Sequence, residues 1–323
     1  MLEYILFIIG IFLLIKGADY LVEGSSSLAK KLGISSLVIG LTIVAIGTST
    51  PELVVNIIAA MHDKGDVGFG NIVGSSLANI LLILGLSAAI ASLRVQKSTI
   101  WKEIPFAFLA SLVLLVFAGK AFLNSSGNQI LRSEGIILLI FFSIFLYYVF
   151  ELARSSKSEN KKEKDEKNEI RKHSGLIIFI MIVGGLLALY LGGKWTVEGA
   201  VAIARAFGLS EYFIGLTIIA VGTSLPELFT SIIAAKKKDV DLAVGNIVGS
   251  NIVNIFLILG ITSIISPLTL PAYAITDLLI LAGATFLLFL FTFTGKKHEI
   301  ERWEGALFLL LYILYIAFLI MRG

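Results

Sequence analysis

Two glutamates each follow a proline inside apolar sequence. Glu52 lies in "AIGTSTPELV" (residues 45–54) and Glu227 lies in "AVGTSLPELF" (residues 220–229), and each is the only ionisable residue of its apolar stretch. An intramembrane charge without a partner costs roughly 2.5–3.5 kcal/mol on insertion scales. No lysine or arginine in the core apolar stretches is placed to pair with both glutamates. Two carboxylates without a protein counter-charge predict a bound cation.

Both prolines are expected to break a helix beside the glutamate. Pro51 and Pro226 have no amide hydrogen to donate, and their rings open the preceding turn, which frees carbonyl groups there. Free carbonyls are tolerated at membrane depth only where protein covers them or where they line a cavity. The same turns add the hydroxyl oxygens of four residues, Thr48, Ser49, Thr223 and Ser224.

A second pair of motifs follows, "GNIVGSSLANI" at 70–80 and "GNIVGSNIVNI" at 245–255. In each motif two asparagines and a serine recur at every fourth residue, so each trio lies on one helical face. The trios are Asn71, Ser75 and Asn79, and Asn246, Ser250 and Asn254. The glycines have the small-xxx-small spacing that lets helices approach closely. For Asn71 and Asn246, a purely structural role is equally open.

The oxygen set is suited to a hard cation. Carboxylates, carbonyls, hydroxyls and amides, without histidine or cysteine in the spans, favour calcium-like ions over zinc or copper. Sodium can use the same oxygens in smaller groups. Two ions that compete for shared ligands are the physical basis of exchange.

The composition is that of a membrane protein. The chain has 323 residues, 57% of them hydrophobic, and a mean hydropathy of +0.94. Runs of about 17 to 25 apolar residues predict membrane spans. We predict an all-α membrane protein with ten transmembrane helices. These spans are 2–22, 34–60, 67–92, 104–123, 134–153, 175–197, 209–235, 242–266, 275–295 and 303–321.

The charges predict how the chain is oriented in the cell membrane. Lysine and arginine concentrate in the loops after the odd-numbered spans, which the positive-inside rule makes cytoplasmic. Both termini are then outside, and the polar linker at 154–174 is cytoplasmic. The first span has no basic region before it, so we interpret it as a retained span. The net charge of +3 lies in loops and does not indicate nucleic acid.

The chain also repeats itself at a constant offset of 175 residues, with more than half of the positions identical between 33–90 and 208–265. Five spans separate the copies, so the second copy must cross the membrane in the opposite sense, as in the inverted repeats of secondary transporters. We therefore predict two inverted-topology five-helix repeats, 1–153 and 175–323.

At this point the motifs resemble a known family. "GTSTPEL" and "GTSLPEL", each followed by "GNIVGS", resemble the paired alpha-repeats of the prokaryotic sodium/calcium exchangers in the calcium/cation antiporter superfamily. The resemblance implies that Glu52 and Glu227 are central calcium ligands with Thr48 and Thr223 beside them. It also implies that spans 1 and 6 slide across the other eight. The sodium sites and the middle ion site of the family would be completed here by further oxygens. These come from Ser49, Ser224, Ser75, Ser250, Asn79, Asn254 and the carbonyls of Ala45 and Ala220.

The expected function is antiport of sodium against calcium by alternating access, electrogenic with about 3 sodium ions per calcium in this family, and without a cofactor. Some family members have aspartate at the position of Asn254, which leaves stoichiometry and potassium coupling open. Proton-coupled relatives typically have asparagine where this chain has Thr48 and Thr223. A calcium/proton exchanger and a cation channel are the alternatives. No enzyme is expected, since the spans carry neither a zinc motif nor a serine-base pair. The oligomeric state is not indicated.

Overall fold

The computed structural model describes residues 2–124, 128–160, 173–207 and 220–322. A π-helical turn, Thr99–Glu103, precedes α5. The helices are α1 (Leu2–Leu32), α2 (Ser36–Thr48), α3 (Thr50–Met61), α4 (Gly65–Ile90), α5 (Ile104–Asn124), α6 (Arg132–Asn160), α7 (Gly175–Ala206), α8 (Ala220–Gly222), α9 (Leu225–Lys236), α10 (Val240–Ile265), α11 (Ala274–Phe291) and α12 (Arg302–Arg322). The strands are β1 (Leu93–Arg94), β2 (Gln129–Ile130), β3 (Leu268–Thr269) and β4 (Glu299–Ile300).

The chain is a mostly helical, multi-pass membrane protein, with two short strand pairs besides the predicted helices. Within the described ranges, eight helices are long and apolar enough to cross a membrane, or nine if α2 and α3, bent by 44°, form one span. Part of the predicted span 209–235 lies outside the described residues, and α8 and α9 are the part that is described. The predicted linker is partly helical, because α6 continues through Asn160 without a glycine or proline to end it.

The first and sixth predicted spans are longer than expected. α1 has 31 residues and α7 has 32, because both helices continue through their polar ends. The two helices pack antiparallel against each other along their length. Glycines spaced by seven residues line the contact on both helices. They are Gly10, Gly17 and Gly24 on α1 and Gly185, Gly192 and Gly199 on α7.

These glycines bring the two backbones into direct contact. A Cβ atom on Gly185 would lie 2.8 Å from the carbonyl oxygen of Gly17, and one on Gly192 would lie 2.8 Å from that of Gly10. Real Cβ atoms do not approach backbone so closely, so only glycine fits this interface.

Two small sheets connect distant parts of the chain. β1 pairs antiparallel with β4, and β2 pairs antiparallel with β3. Since β1 precedes α5 and β2 follows it, the sheets lie at opposite ends of that helix. Each sheet joins a strand from the first half of the chain to a strand from the second half.

The centre of the protein is formed by α4 and α10. In the most apolar 18-residue segments of α4 and α10, 78% and 83% of the residues are buried within the protein. In those of α6, α7 and α12, 22% are buried. The inner helices are therefore surrounded by protein, and the outer ones present most of their apolar surface to lipid. Polar side chains on α4 and α10 accordingly lie in the interior.

Candidate cation-binding site

The helix breaks occur where the prolines predict. α2 ends at Thr48 and α3 begins at Thr50, with Pro51 in its first turn. α8 ends at Gly222 and α9 begins at Leu225, with Pro226 in its first turn. The carbonyl of Ala45, which the family resemblance implies as a sodium ligand, accepts the amide of Ser49 at 3.0 Å. Ala220 is the first residue of α8, and the structure describes its backbone but not its side chain.

Both glutamates lie in the first turn of the helix after a break. Glu52 and Glu227 are each 1% exposed. The amino end of a helix carries a partial positive charge, which stabilises a carboxylate there. The hydroxyl of Ser49, from the first break, donates to Glu227 Oε1 at 3.0 Å, and that of Ser75, on α4, donates to Glu52 Oε1 at 3.5 Å. The first break therefore contacts the glutamate of the second.

The threonines of the breaks also bond across the two halves. Thr48 Oγ1 donates to Asn246 Oδ1 at 3.1 Å. Asn71 Nδ2 donates to Thr223 Oγ1 at 3.4 Å, and Ser75 Oγ lies at the same distance from that hydroxyl. Asn71 and Asn246, whose role the sequence left open, thus hold the threonines of the opposite half.

The deeper asparagines lie where the central helices widen. Asn79 is in the π-helical segment Ala78–Leu84 of α4, and Asn254 is in the π-helical segment Val253–Ile258 of α10. Such segments are rare and occur mostly at functional sites. Asn79 Nδ2 donates to Asn251 Oδ1 at 2.9 Å. Neither the π-helical turns nor the contact with Asn251 was predicted from the sequence.

Six buried oxygens of the predicted set have no hydrogen-bond partner in the described structure. They are Glu52 Oε2, Glu227 Oε2, Ser224 Oγ, Ser250 Oγ, Asn79 Oδ1 and Asn254 Oδ1. A buried polar atom without a partner costs about 1–3 kcal/mol. A cation bound by these oxygens would remove that cost. The described residues contain no cluster of three or more histidine, cysteine, aspartate or glutamate side chains, so any site here has two carboxylates and neutral oxygens.

The predicted residues fall into two groups. Hydrogen bonds join Ser49 directly and Thr48 through Asn246 to Glu227, and they join Ser75 directly and Thr223 through Ser75 to Glu52. Ser224, Ser250, Asn79 and Asn254 are buried on the same elements without a bond to either glutamate. Sequence analysis missed Asn56 and Ser231, four residues after each glutamate, although a polar residue one turn along the same helical face is a usable signal.

A cavity of about 270 Å³ leads from α7 to the two breaks. Its lining includes Pro51, Lys194, Glu198 and Thr223. It therefore opens at the end of α7 where Lys194 and Glu198 pair with each other at 3.9 Å.

The other end of the α1 and α7 pair is held by ionic contacts. Lys237 Nζ, in the loop after α9, lies 2.5 Å from Asp19 Oδ1 and 4.0 Å from Glu23 Oε2 on α1. His173 contacts Glu23 at 3.2 Å, just before α7 begins. In the antiparallel pair these residues lie at the end opposite to Lys194.

These features define a polytopic membrane protein with an intramembrane oxygen site between two broken helices. A model of the family described as "Sodium/calcium exchanger protein" matches residues 2–151 and 177–321. The chain belongs to the sodium/calcium exchanger family.

Known proteins resemble it over nearly the whole length. CaxA of Alkalimonas amylolytica, described as a putative antiporter, is 39% identical over 311 residues, 95% of both chains. The sodium/calcium exchanger MaX1 of Methanosarcina acetivorans is 32% identical over 98% of both chains. A structure of the sodium-calcium exchanger NCX_Mj, soaked with zero Na⁺ and Ca²⁺, superposes with a TM-score of 0.81 at 34% identity, covering 98% of this chain and 99% of that one.

Proposed function

We propose that this protein exchanges sodium for calcium across the membrane by alternating access, with calcium held between Glu52 and Glu227. The observation that carries the proposal is the set of partnerless buried oxygens around two carboxylates that face no basic side chain in the described structure. Calcium takes six to eight oxygen ligands at about 2.3–2.6 Å, and two glutamates match its charge. The similarity to MaX1 and NCX_Mj, both named as sodium/calcium exchangers, supports the same ions.

Sodium would use the neutral oxygens beside the carboxylates. A singly charged ion needs fewer charged ligands, so hydroxyls, amides and backbone carbonyls suffice. In the proposal, Thr48 and Thr223 lie between the central calcium position and the flanking sodium positions. The flanking ligands in the proposal are Ser49, Ser224, Ser75, Ser250, Asn79, Asn254 and the carbonyls of Ala45 and Ala220.

We further propose ten membrane helices in two inverted repeats, 1–153 and 175–323, joined by the segment 154–174. The reciprocal sheets support this arrangement, since each pairs one strand of each repeat at opposite ends of the bundle. The glycines of α1 and α7 support it as well, because they match at the same offset of 175 residues as the motifs. The distribution of lysine and arginine supports outer termini and a cytoplasmic linker.

The two ends of the α1 and α7 pair suggest how access alternates. The cavity reaches Thr223 from the end where Lys194 lies, which is the outer side in the proposed orientation. The ionic contacts of Lys237 with α1 hold the opposite, cytoplasmic end. In the proposal, α1 and α7 move together against the remaining helices. This motion closes the cavity on the outer side and opens the cytoplasmic end.

Purified protein in liposomes tests the proposal directly. Calcium uptake is measured with an outward sodium, potassium or proton gradient imposed separately. We expect uptake with the sodium gradient alone. Uptake that only a proton gradient drives would replace this proposal with calcium/proton exchange. Uptake down a calcium gradient without any counter-ion would indicate a channel.

A further inference from the structure

A polar side chain bridges the two central helices beside the candidate site. Asn251, on α10, is 2% exposed, and α10 packs there against the π-helical segment of α4. Its Nδ2 atom donates to the backbone carbonyl of Ser76 at 3.3 Å, and its Oδ1 atom accepts from Asn79 Nδ2 at 2.9 Å. Both partners belong to α4, so one amide from the second half of the chain holds two groups of the first half.

The bridge fixes which atom of each amide faces which partner. A backbone carbonyl only accepts hydrogen bonds, so Asn251 must turn its nitrogen to Ser76 and its oxygen to Asn79. An amide oxygen cannot donate, so Asn79 must face it with its nitrogen. The Oδ1 atom of Asn79 is thereby directed away from Asn251. It is one of the buried oxygens that have no hydrogen-bond partner in the described structure.

The orientation of Asn79 decides what this residue can offer to a cation. An amide oxygen has lone pairs and can ligate sodium or calcium, whereas the amide nitrogen presents only hydrogens. Half a turn about the last side-chain bond would therefore replace a ligand with a group that repels the ion. The intrinsic preference of that torsion is broad and roughly two-fold, so the neighbours of Asn79 must select one orientation.

The two repeats differ at this bridge. The residue that matches Asn251 at the offset of 175 residues is Ser76. Its side chain is shorter than an amide, and its buried hydroxyl has no hydrogen-bond partner among the described residues. Asn254, the counterpart of Asn79, thus receives no equivalent bond from Ser76. Of the two matching asparagines, the one on α4 is held from the opposite central helix.

We propose that Asn251 is a positioning residue that holds Asn79 with its oxygen toward the bound ion. Both ends of the Asn251 amide are engaged with α4, so its effect on the ion is exerted through Asn79. This inference rests on the proposed function, in which Asn79 is one of the sodium ligands.

Sodium binding can be measured without transport. The purified protein is heated in detergent at increasing sodium chloride, with N-methylglucamine chloride keeping ionic strength constant, and the sodium concentration for half-maximal stabilisation is determined. Asn251→Ser, which gives the second repeat the residue of the first, should raise this concentration about fivefold, the size expected for one neutral contact. Asn79→Ala should raise it equally. The double variant should bind sodium no more weakly than Asn79→Ala alone.

Asn79→Asp separates positioning from structural support. Both terminal atoms of an aspartate are oxygens, so Asn251→Ser should not weaken sodium binding in that background, whereas a loss of packing would weaken it in every background. Ser263→Ala is the matched control, because this buried hydroxyl of α10 bonds to backbone carbonyls of its own helix. The control should leave half-saturation by sodium unchanged. Asn251→Leu, which has a similar shape and cannot form the bridge, serves if the serine variant does not fold.

Two results would overturn the inference and leave sodium/calcium exchange intact. One is additive weakening by Asn251→Ser and Asn79→Ala, and the other is weakening by Asn251→Ser that persists with Asn79→Asp. Wild-type sodium binding by Asn79→Ala would overturn it as well, since Asn251 would then have no ligand to position. No stabilisation of the wild type by sodium would overturn the proposed function itself.

Discussion

Glu52 and Glu227 are buried among hydroxyls and amides, and no basic side chain contacts either of them in the described structure. The protein therefore supplies two negative charges that only a mobile ion can balance. In the proposed function, neutral oxygens shape the site and the carboxylates provide the affinity for a divalent ion.

Glu52→Gln and Glu227→Gln should each reduce calcium transport at least about 100-fold, because contacts to a charged group are worth roughly 1.5–3 kcal/mol each. Glutamine keeps the shape and removes half of the formal charge, so the protein should stay folded. The measurement is sodium-driven calcium uptake into liposomes, with thermal unfolding as the check on folding. Glu151→Gln, at an exposed position of α6, is the matched control and should transport like the wild type. Near wild-type transport by either site variant would show that calcium is not held by both glutamates.

The residue types of the site could be predicted from the sequence, but their hydrogen bonds could not. The glutamates, hydroxyls and asparagines stand out because each is costly in apolar sequence. The direction in which Asn71 and Asn246 turn depends on partners from other helices, which no local pattern reveals. Asn56, by contrast, could have been predicted, because it lies one turn after Glu52 on the same helical face.

At the scale of elements, the breaks at Pro51 and Pro226 were predictable because proline acts locally. The π-helical turns of α4 and α10 were not, since they arise from how neighbouring helices pack. The seven-residue spacing of glycines on α1 and α7 was visible in the sequence and went unused. It marks the most extensive helix contact among the described residues, where backbone lies against backbone.

Gly185→Ala should destabilise the protein by about 1–3 kcal/mol, the usual cost of overpacking. Its Cβ atom would meet the backbone of Gly17 and Leu21 at 2.8 Å. Gly184→Ala is the control on the same helix, because Gly184 is exposed and nothing lies within 4 Å of its Cβ position. The control should be neutral or slightly stabilising. Thermal unfolding in detergent separates them, and equal unfolding temperatures would contradict close packing of α1 on α7.

Lys237→Ala should loosen the end of α1 that the proposed orientation places on the cytoplasmic side. Lys237 contacts both Asp19 and Glu23, and exposed ion pairs contribute about 0.2–1 kcal/mol each. The chain has no cysteine, so one introduced at the buried Ser25 of α1 can report accessibility through maleimide labelling. We expect labelling to become roughly two- to fivefold faster in Lys237→Ala. Lys236→Ala, at the last residue of α9, should leave the rate unchanged. An unchanged rate in both variants would mean that the ionic contacts do not hold this end closed.

At the scale of the whole molecule, the charge of the site determines how transport responds to voltage. Two carboxylates make the site neutral with one calcium ion and about +1 with three sodium ions, provided that Asn79 and Asn254 remain neutral. One net charge would then cross the membrane in each cycle.

Moving that charge is worth roughly 2.3 kcal/mol per 100 mV, so an inside-negative potential should favour sodium entry and calcium exit. Current recorded from proteoliposomes, together with the response of calcium flux to an imposed potential, tests this. Electroneutral exchange would instead indicate two sodium ions per calcium and would connect that stoichiometry to the asparagine at 254.

The two small sheets limit which motions are available to the molecule. Because one sheet joins the halves at each end of α5, the halves cannot swing apart at either membrane face without losing strand hydrogen bonds. Neither α1 nor α7 adjoins a strand, and the same is true of the broken helices α2, α3, α8 and α9, so none of these described helices is joined directly to either sheet. Three residues, 33–35, connect α1 to α2. At roughly 3.3–3.6 Å per residue, this short tether lets the end of α1 lie no more than about 14 Å from the start of α2. If α1 moves as proposed, the length of this loop limits how far it can travel, and lengthening the loop should change that distance without altering any of the proposed ion ligands.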